Sequence, residues 1–501
     1  MPLFEKLMDI AIKRSFLVPS NEVYAHTAGF YDYGPAGLNL KMKIEEKWRD
    51  YFIRYEGYLE VQTATILPEI VLKASGHASN FADPLVTCKA CKNKFRADHL
   101  IKEANGKNMD GSNPQALEAE IKSAGIKCPQ CKGELEGVGW FNLMFRTNIG
   151  PLDGNTAYAR PETAQGIFLD FPRIFKNYGG KLPLAIGQVG KSYRNEISPR
   201  QGLMRLREFT QMELEYFFNP ASPNHENFGI VKAVKMRIIS EGMEKPAEKT
   251  AEEFVADKTI PNSIMAYFMA RQVQLYLALG IPYDKFYFRK LAKGETPHYS
   301  GGNFDMEVET SYGNVETIGN AYRTDYDLSA HAKMSGKDLS VFVEEEKKKI
   351  VPHVVEPSMG SDRHFWCILE HCFRDKSAEK DWEWFDFPPD IAPFTVSVFP
   401  LMKKDGMAEK AREVTGMLRS KHIETMYAES GSIGRRYARA DEIGTPYCIT
   451  IDYDTLKDET VTIRYRNDGG QERVRIADLP SLIERNVAEG RVKKAGGKSA
   501  Q

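Results

Sequence analysis

Polar and apolar residues alternate from Leu184 to Phe218, which favours extended structure over helix in this stretch. A side-chain period of two predicts two strands, 186–196 and 209–217, joined by a polar turn. Paired side by side, they would place two polar rows on one sheet face. The rows are Gln188, Gly190, Ser192, Arg194 and Glu196, then Gln211, Glu213 and Glu215, with Met212, Leu214 and Tyr216 on the opposite face.

The predicted sheet face is rich in charge. It holds a guanidinium and several carboxylates, and the connecting turn adds Arg200, Arg205 and Arg207. Arginine suits phosphate oxygens because its guanidinium stays charged and can donate two parallel hydrogen bonds. A solvated strand face with surface ion pairs, each contributing little to stability, explains the same charges. The residues alone leave both interpretations open.

Length and composition indicate a multidomain globular protein. The chain has 501 residues, more than one hydrophobic core usually supports, and 42% of them are hydrophobic. The formal net charge is -1, so a nucleic-acid surface would have to be a local patch. The N-terminus lacks the apolar core of a secretory signal, and no apolar stretch is long enough to span a bilayer. We therefore expect a cytoplasmic protein without a membrane partner.

The first half of the chain contains a predicted helix, a short strand and two insertions. The apolar stripe over 36–58 predicts the helix, and Val61–Leu67 predicts a strand that ends at Pro68. We expect residues 85–140 to form an insertion in which Asn113 and Pro114 begin a capped helix that ends at Gly125. The composition of 219–300 predicts a second, helical insertion, followed by strands at Asp305–Glu309 and Val315–Ile318.

The pattern changes near residue 390, where Pro388, Pro389 and Pro393 interrupt any helix. We expect residues 1–390 to form one unit and 391–490 a compact α/β module. Its predicted strands are TVSVF, YCITID and TVTIRYR, and its predicted helices are MAEKAREVTGMLRSKH and SLIERNVAE. The tail, 491–501, is predicted to be disordered.

Four of the seven cysteines form two CxxC motifs, and these are Cys88, Cys91, Cys128 and Cys131. Four thiolates with this spacing suit a tetrahedral structural Zn²⁺ site. Redox-active cysteines and unliganded thiols are the alternatives. Cysteines in such pairs fit a reducing compartment better than a disulfide framework. We expect Cys367, Cys372 and Cys448 to be buried.

Five ordered stretches of the chain resemble the motifs of one family. Tyr193-Arg194-Asn195-Glu196, followed by a loop and LREFTQMELEYF, resembles motif 2 of the class II aminoacyl-tRNA synthetases and, within them, of the glycyl-tRNA synthetase family of the homodimeric type. EPSMGSDR at 356–363 resembles motif 3, and RPETAQGIF at 160–168 is a further family stretch. YDYGPAGLNLKMKIEEKWRDYF, continuing through LPEIVLKASGH, resembles motif 1. The resemblance extends from about Tyr31 into the C-terminal module.

The resemblance implies an α/β (α+β) fold: an antiparallel-sheet catalytic domain with helical and zinc insertions, plus a C-terminal α/β anticodon-binding domain. It implies ATP and glycine as substrates, Mg²⁺ with the ATP, tRNA as acceptor, and a homodimer formed through the motif 1 region. The catalytic residues would be Arg194, Glu196 and Arg363. Residues implied to bind ATP are Arg194, Asn195, Glu196, Met204, Arg205, Leu206, Arg207, Glu208, Phe209, Glu316, Thr317, Gly360, Ser361, Asp362 and Arg363.

By the same resemblance, Arg194 would hold the α-phosphate and the glycine carboxylate, and Phe209 would stack on adenine. Glu162, Glu213 and Glu356 would surround the glycine ammonium group, and these acids argue for glycine. Because one methyl group gives little discrimination, alanine must be excluded by a tight wall. Residues implied to bind glycine are Arg96, Glu162, Phe209, Thr210, Gln211, Met212, Glu213, Glu356, Pro357, Ser358, Met359 and Gly360.

Three questions stay open at the level of sequence. The chain could be a synthetase-like accessory factor that binds nucleic acid without catalysis, although Arg194, Glu196 and Arg363 are all present. It could instead be a class II synthetase for threonine, proline or serine. In the C-terminal module, Arg435, Arg436 and Arg439 could form a phosphate-binding patch or a solvated helix face.

Overall fold

The structure is a computed structural model that describes residues 2–24, 26–109, 111–151, 154–197, 199, 202–292, 295, 300–344, 346–378 and 380–493. The helices are α1 (Leu3–Lys13), α2 (Pro35–Arg49), α3 (Glu69–Ala74), α4 (His77–Asn80), α5 (Ala97–Asn105), α6 (Pro114–Ser123), α7 (Ala164–Asn177), α8 (Ala251–Ala256), α9 (Ser263–Ala278), α10 (Tyr326–Ser335), α11 (Ser361–Cys372), α12 (Met407–Ser420), α13 (Ile433–Ile443), α14 (Thr455–Asp458) and α15 (Leu479–Ala488).

The strands are β1 (Leu17–Pro19), β2 (Tyr31–Tyr33), β3 (Leu59–Glu60), β4 (Ile66–Pro68), β5 (Ala82–Cys88), β6 (Lys94–Arg96), β7 (Leu135–Asn142), β8 (Arg146–Asn148), β9 (Thr156–Ala159), β10 (Leu184–Tyr193), β11 (Glu208–Phe218), β12 (Lys235–Ile239), β13 (Ala247–Thr250), β14 (Phe286–Lys290), β15 (Asn303–Thr310), β16 (Gly313–Thr324), β17 (Val341–Val343), β18 (Lys348–Ile350), β19 (His353–Gly360), β20 (Phe373–Arg374), β21 (Trp384–Phe385), β22 (Val396–Pro400), β23 (Thr425–Tyr427), β24 (Tyr447–Ile451), β25 (Thr460–Tyr465) and β26 (Gln471–Arg475).

A nine-stranded, mainly antiparallel sheet organises the larger part of the chain. Its strand order is β13-β12-β14-β15-β16-β19-β11-β10-β3, and its two parallel pairs are β3 with β10 and β12 with β14. The register aligns Gln188 with Glu213, Glu213 with Ser358, and Ser358 with Gly319. Polar side chains from β10, β11 and β19 therefore lie in one row across the middle of the sheet.

The alternation along β11 determines what each face of the sheet packs against. Met212, Leu214 and Tyr216 are buried in the main apolar core, which also contains residues of α2 and α9. On the other face, Phe217 stacks on Phe171 of α7, with ring centroids 4.0 Å apart. The rest of that face carries one aromatic residue, Phe209, and three polar ones, Gln211, Glu213 and Glu215. The predicted mixed α+β fold with an antiparallel sheet is confirmed.

Several predicted elements form with small differences. The helix predicted over 36–58 is α2 extended by a π-helical turn, Asp50–Arg54. The Asn113 side chain caps α6 by accepting a hydrogen bond from the Ala116 amide at 2.8 Å. The strand predicted at Val61–Leu67 is wrong for most of its length, because β3 ends before this run and β4 covers only its last two residues. Pro68 ends β4, as predicted.

Residues 219–300 are not the helical insertion that their composition suggested. They contain α8 and α9, but β12, β13 and β14 also lie in this stretch and extend the main sheet to one edge. These strands are short, and β12 and β14 carry Lys235, Arg237, Arg289 and Lys290. Charge on short strands near a sheet edge protects against edge-to-edge pairing and hides the strand pattern in the sequence.

The C-terminal module has its own five-stranded sheet, in the order β23-β22-β24-β25-β26. Apolar residues of α12 and α15 pack with this sheet in a separate core. The three strands and two helices predicted here are β22, β24, β25, α12 and α15, whereas β23, α13, α14 and β26 were missed. Residues 494–501 of the tail predicted to be disordered lie outside the described residues, as does Arg200.

Candidate active site

A cavity opens on the polar face of the main sheet, across β11, β19 and β16. Its lining residues are Glu162, Arg194, Glu196, Leu203, Met204, Arg205, Leu206, Phe209, Gln211, Glu213, Glu316, Thr317, Gly319, Glu356, Ser358, Gly360, Asp362 and Arg363. All three predicted catalytic residues are among them. Leu203 and Gly319 line the cavity without having been predicted, since neither carries a chemical signal in the sequence.

Strand alternation explains which predicted neighbours point away from the cavity. The cavity is lined by every second residue of β11 from Phe209 to Glu213 and of β19 from Glu356 to Gly360, so Met212 and Met359 face the other way. Both are fully buried in the apolar core, and their side chains are not part of the cavity wall. Thr210 and Pro357 lie out of phase for the same reason. The sequence-based set took consecutive residues where the sheet presents every second one.

Arg194 forms one wall of the cavity. It lies just beyond the end of β10, and its amide nitrogen donates to the Arg207 carbonyl at 3.0 Å. Its guanidinium carbon is 5.3 Å from the ring centre of Phe81 and 5.2 Å from that of Phe209. The Arg194 Nε donates to the carbonyl of Pro161 at 3.2 Å. The two aromatic rings and the Pro161 carbonyl thus orient the guanidinium group, which can donate two parallel hydrogen bonds.

Glu196 is buried beside Arg194 in the turn rather than on the strand. β10 ends at Tyr193, so the prediction that Arg194 and Glu196 continue its face is wrong. The Arg205 Nε lies 2.8 Å from the Glu196 carboxylate. Arg207 donates to the backbone carbonyls of Glu196 and Ala28, at 2.8 Å in each case. Arg205 therefore borders the cavity, whereas Arg207 braces the turn.

The remaining residues predicted around this turn lie off the cavity. The Asn195 amide donates to the Leu143 carbonyl at 2.6 Å. The Glu208 carboxylate forms an ion pair of 3.2 Å with Lys191 across the hairpin. These contacts hold the turn and the hairpin, and neither residue is among those that line the cavity.

Arg363 lies on the opposite wall, in the first turn of α11. Its Nε donates to the carbonyl of Met204 at 3.1 Å and its Nη1 to the carbonyl of Glu316 at 2.6 Å. The Glu316 carboxylate is 3.5 Å from the same guanidinium. The Thr317 hydroxyl beside it is buried and donates to the Met306 carbonyl at 3.2 Å. Arg194 and Arg363 thus face a common space from two sides.

Glu213 lies at the acidic end of the cavity and accepts several hydrogen bonds. The Thr163 amide donates to it at 2.8 Å, and the Ser358 hydroxyl and the Gln211 amide group each donate at 2.7 Å. The Gln188 side chain in turn donates to the Thr163 carbonyl at 3.0 Å and fixes that loop. Burial, together with the nearby charge of Glu162, raises the pKa of Glu213 despite these donors.

Glu162 is the second carboxylate at the acidic end of the cavity. The His77 Nε2 lies 3.3 Å from it, and the Gln165 side chain donates to it at 2.7 Å. Burial alone would raise the pKa of Glu162, but the interactions with His77 and Arg323 outweigh burial and hold that pKa below its usual range. Glu162 is therefore ionised at neutral pH.

Glu356 completes the group, which we call the acidic pocket: Glu162, Glu213 and Glu356. Its carboxylate accepts a hydrogen bond of 2.6 Å from Arg323, whose other nitrogens bind Asp327 at 2.7 and 2.9 Å. Burial raises the pKa of Glu356 to about 7, although Arg323 opposes this shift. Arg323 was missed in the sequence, where its only signal is the i,i+4 spacing to Asp327.

Arg96, which the resemblance implied to bind glycine, is not among the residues that line the cavity. It forms ion pairs with Asp83, at 2.9 Å, and with Asp98. Together with His99 and Trp140 it lines a separate, neighbouring cavity. Residues that flank the insertion contact the site instead: Leu143 accepts the Asn195 amide in the turn after β10, and Phe81 packs on Arg194.

The four paired cysteines converge in the insertion, where all four Sγ atoms lie within 4.8 Å of one another. The Cys88–Cys131 and Cys91–Cys128 sulfur distances are 3.5 and 3.7 Å. Four Zn–S bonds of about 2.3 Å in a tetrahedron require sulfurs about 3.8 Å apart, so the geometry fits Zn²⁺. A Cβ at Gly133 would lie 3.2 Å from two of the sulfurs. The other cysteines, Cys367, Cys372 and Cys448, are buried, as predicted.

The three arginines of the C-terminal module do not act as one patch. Arg436 is 3% exposed and donates to the Pro400 carbonyl at 2.6 Å, so it supports the fold. Arg435 is exposed, and Arg439 donates to the Ser430 carbonyl at 3.2 Å near the protein surface. The helix α13 presents at most two of them to a ligand.

Among the described residues, no helix is both long and apolar enough to cross a membrane.

Comparisons with known proteins match two segments and nearly the full length of the chain. Residues 151–372 match the model of the tRNA synthetase class II core domain (G, H, P, S and T), and residues 395–486 match the anticodon binding domain. A glycine–tRNA ligase of Methanocaldococcus jannaschii is 40% identical over 97% of this chain and 99% of its own length. One from Pyrococcus horikoshii is 41% identical over 96% and 98%. The chain belongs to the glycine–tRNA ligase family of class II aminoacyl-tRNA synthetases.

Proposed function

We propose that this chain activates glycine with ATP and transfers the glycyl group to the 3′ end of its tRNA. The observation that carries the proposal is the position of the acidic pocket at one end of a cavity whose other walls hold Arg194 and Arg363. An ammonium group suits the carboxylates, and phosphates suit the guanidiniums. Glycine, which is a zwitterion, and ATP can therefore bind side by side in the cavity, between the acidic pocket and the two arginines.

On the nucleotide side, Arg194 holds the α-phosphate against the glycine carboxylate, and Phe209 stacks on adenine. Glu196 contacts the adenine amino group, Arg205 reaches the outer phosphates and Arg363 lies on the other side of the nucleotide. Attack at phosphorus depends on in-line positioning and neutralised charge more than on a strong base. A Mg²⁺ ion near Glu316 would supply further positive charge to the phosphates.

On the amino-acid side, the acidic pocket binds the glycine ammonium group. The oxygens of Glu213 already accept hydrogen bonds from Thr163, Ser358 and Gln211, which fix the direction in which the carboxylate points. Glu356 is similarly fixed by Arg323. A pocket lined by such fixed groups can exclude a larger amino acid, because adding even one methyl group would require them to move.

Glycine-dependent ATP–pyrophosphate exchange tests this function. We expect glycine to stimulate exchange, and alanine, threonine, proline and serine to give at most a small fraction of that rate. Stimulation by another amino acid without stimulation by glycine would overturn the assignment. Absence of exchange with every amino acid would favour the non-catalytic accessory factor instead.

We also propose that Cys88, Cys91, Cys128 and Cys131 hold a structural Zn²⁺ ion. Substituting Cys88 by serine should lower the zinc content, measured by elemental analysis, from one ion per chain to near zero. The insertion should also become more sensitive to proteolysis, because metal binding contributes directly to the folding of such sites. Cys448→Ser is the control, since Cys448 is buried in the other module and should leave the zinc content unchanged. Full zinc in the Cys88→Ser protein would contradict the proposal.

The C-terminal module binds the anticodon arm of the tRNA, and the chain acts in the cytoplasm as a homodimer formed through the motif 1 region. In that region the large apolar side chains of Leu38, Met42, Ile66 and Ile70 are exposed. Exposed apolar groups clustered in one region are typical of a protein–protein interface.

A further inference from the structure

A buried polar network joins α2 to the start of α11. Lys41 of α2 is only 6% exposed, and its Nζ lies 2.6 Å from Glu45 Oε1. The same ammonium group donates to the Ser361 hydroxyl at 3.0 Å and lies 3.9 Å from the Asp362 carboxylate. An ammonium group is stable in the protein interior only when such partners are provided.

Asp362 connects this network to the catalytic sheet. One of its oxygens accepts a hydrogen bond from the Tyr33 hydroxyl, and the other accepts the Thr210 amide at 2.6 Å. Burial, reinforced by the charge of Asp362, raises the pKa of Tyr33 well above its usual value, so its hydroxyl keeps the proton that it donates. A single carboxylate thereby joins β2, β11 and α11.

The joined segments carry the two walls between which the nucleotide is proposed to bind. Phe209, which packs on Arg194, directly precedes Thr210. Arg363, which is anchored to the Met204 carbonyl, directly follows Asp362. The distance between the two walls therefore depends on the hydrogen bond between the Thr210 amide and the Asp362 carboxylate, because each wall residue is the direct neighbour of one of these partners.

We infer that Asp362 sets the distance between the two walls that enclose the nucleotide. Lys41 and Tyr33 are positioning residues that hold the Asp362 carboxylate in place. The resemblance to the family implied that Asp362 and Ser361 bind ATP directly, whereas their polar groups bind protein here. This inference rests on the proposed function, because it assigns the space between the two walls to ATP. Lys41 and Tyr33 then affect ATP binding without belonging to the cavity lining.

Kinetics of ATP–pyrophosphate exchange in Lys41→Met and Tyr33→Phe proteins test this role, with ATP and glycine titrated separately. We expect Lys41→Met to raise KM for ATP roughly tenfold, the effect of losing one charge-assisted hydrogen bond, and Tyr33→Phe to raise it about threefold. The KM for glycine should stay within about twofold. In the double variant the increase should be smaller than the product of the two, because both residues act through Asp362.

Lys43→Met is the matched control. Lys43 lies on the same helix but on another face, where it donates to the Ala392 carbonyl at 2.7 Å and to Glu424 at 3.2 Å. Its loss should leave KM for ATP unchanged. If Lys41→Met and Tyr33→Phe lower Tm and the active fraction while both KM values stay at the level of the unmodified enzyme, the network only supports the fold and the inference is wrong. Failure of the proposed function would show itself separately, as absence of glycine-dependent exchange in the unmodified enzyme.

Discussion

Replacing Arg194 by alanine is expected to lower glycine-dependent ATP–pyrophosphate exchange by roughly a thousandfold, the scale seen when an oriented cationic group is removed from a phosphoryl-transfer site. The expectation follows from the way Phe81, Phe209 and the Pro161 carbonyl hold the guanidinium at the cavity wall. The loss should appear in kcat and not only in KM, because the charge of the phosphate grows in the transition state.

Arg194→Lys provides the sharper comparison. Lysine keeps the positive charge but cannot donate two parallel hydrogen bonds, and it stacks poorly between two rings. We therefore expect it to recover little of the activity. The zinc content should equal that of the unmodified protein in both variants, which shows that the insertion remains folded. Normal exchange in Arg194→Ala would remove Arg194 from its proposed role.

Glu213→Gln is expected to raise KM for glycine roughly a hundredfold, since removing one charged partner from a buried site typically costs a few kcal/mol. The Thr163 amide, the Ser358 hydroxyl and the Gln211 amide group all donate to this carboxylate. An amide in its place would present its own N–H groups to some of these donors and would carry no charge for the ammonium group. The KM for ATP should change little.

Glu215→Gln is the matched control for this experiment. Glu215 is two residues further along the same strand face and is 0% exposed, yet neither carboxyl oxygen has a hydrogen-bond partner among the described residues. Burial, with the nearby charge of Glu356, raises the pKa of Glu215 well above its usual value. Because Glu215 accepts no hydrogen bond from these donors and does not line the cavity, an amide of the same shape should leave KM for glycine within about twofold. Equal effects of the two substitutions would show that total charge, rather than Glu213, binds the ammonium group.

The predictions from sequence succeeded where one residue pattern had one structural meaning. Alternation identified the β10–β11 hairpin, and the Asn-Pro start with a terminal Gly identified α6. They failed where tertiary structure decided the outcome. The short, charged β12 and β14 are strands of the main sheet, where they pair with each other and with β13 and β15. The extended run at Val61–Leu67 found strand partners only at its end.

The candidate site shows the same division. Family motifs brought Arg194, Glu196, Arg363 and the acidic pocket to one cavity, but a motif lists consecutive residues and does not show which way each one points. Met212 and Met359 were therefore included although they face the core. Arg323 was omitted because its role depends on Glu356, which is far away in sequence and adjacent only across β16 and β19.

The strand order has a consequence for how the chain is made. β19 lies between β11 and β16, so the middle of the sheet stays incomplete until the ribosome has passed residue 360. At a synthesis rate of roughly 5–20 residues per second, β11 waits on the order of ten seconds for its neighbour. During that interval the nascent chain exposes unpaired backbone and apolar strand faces. A chaperone that shields this half-built sheet should raise the yield of active enzyme more than one that acts after release.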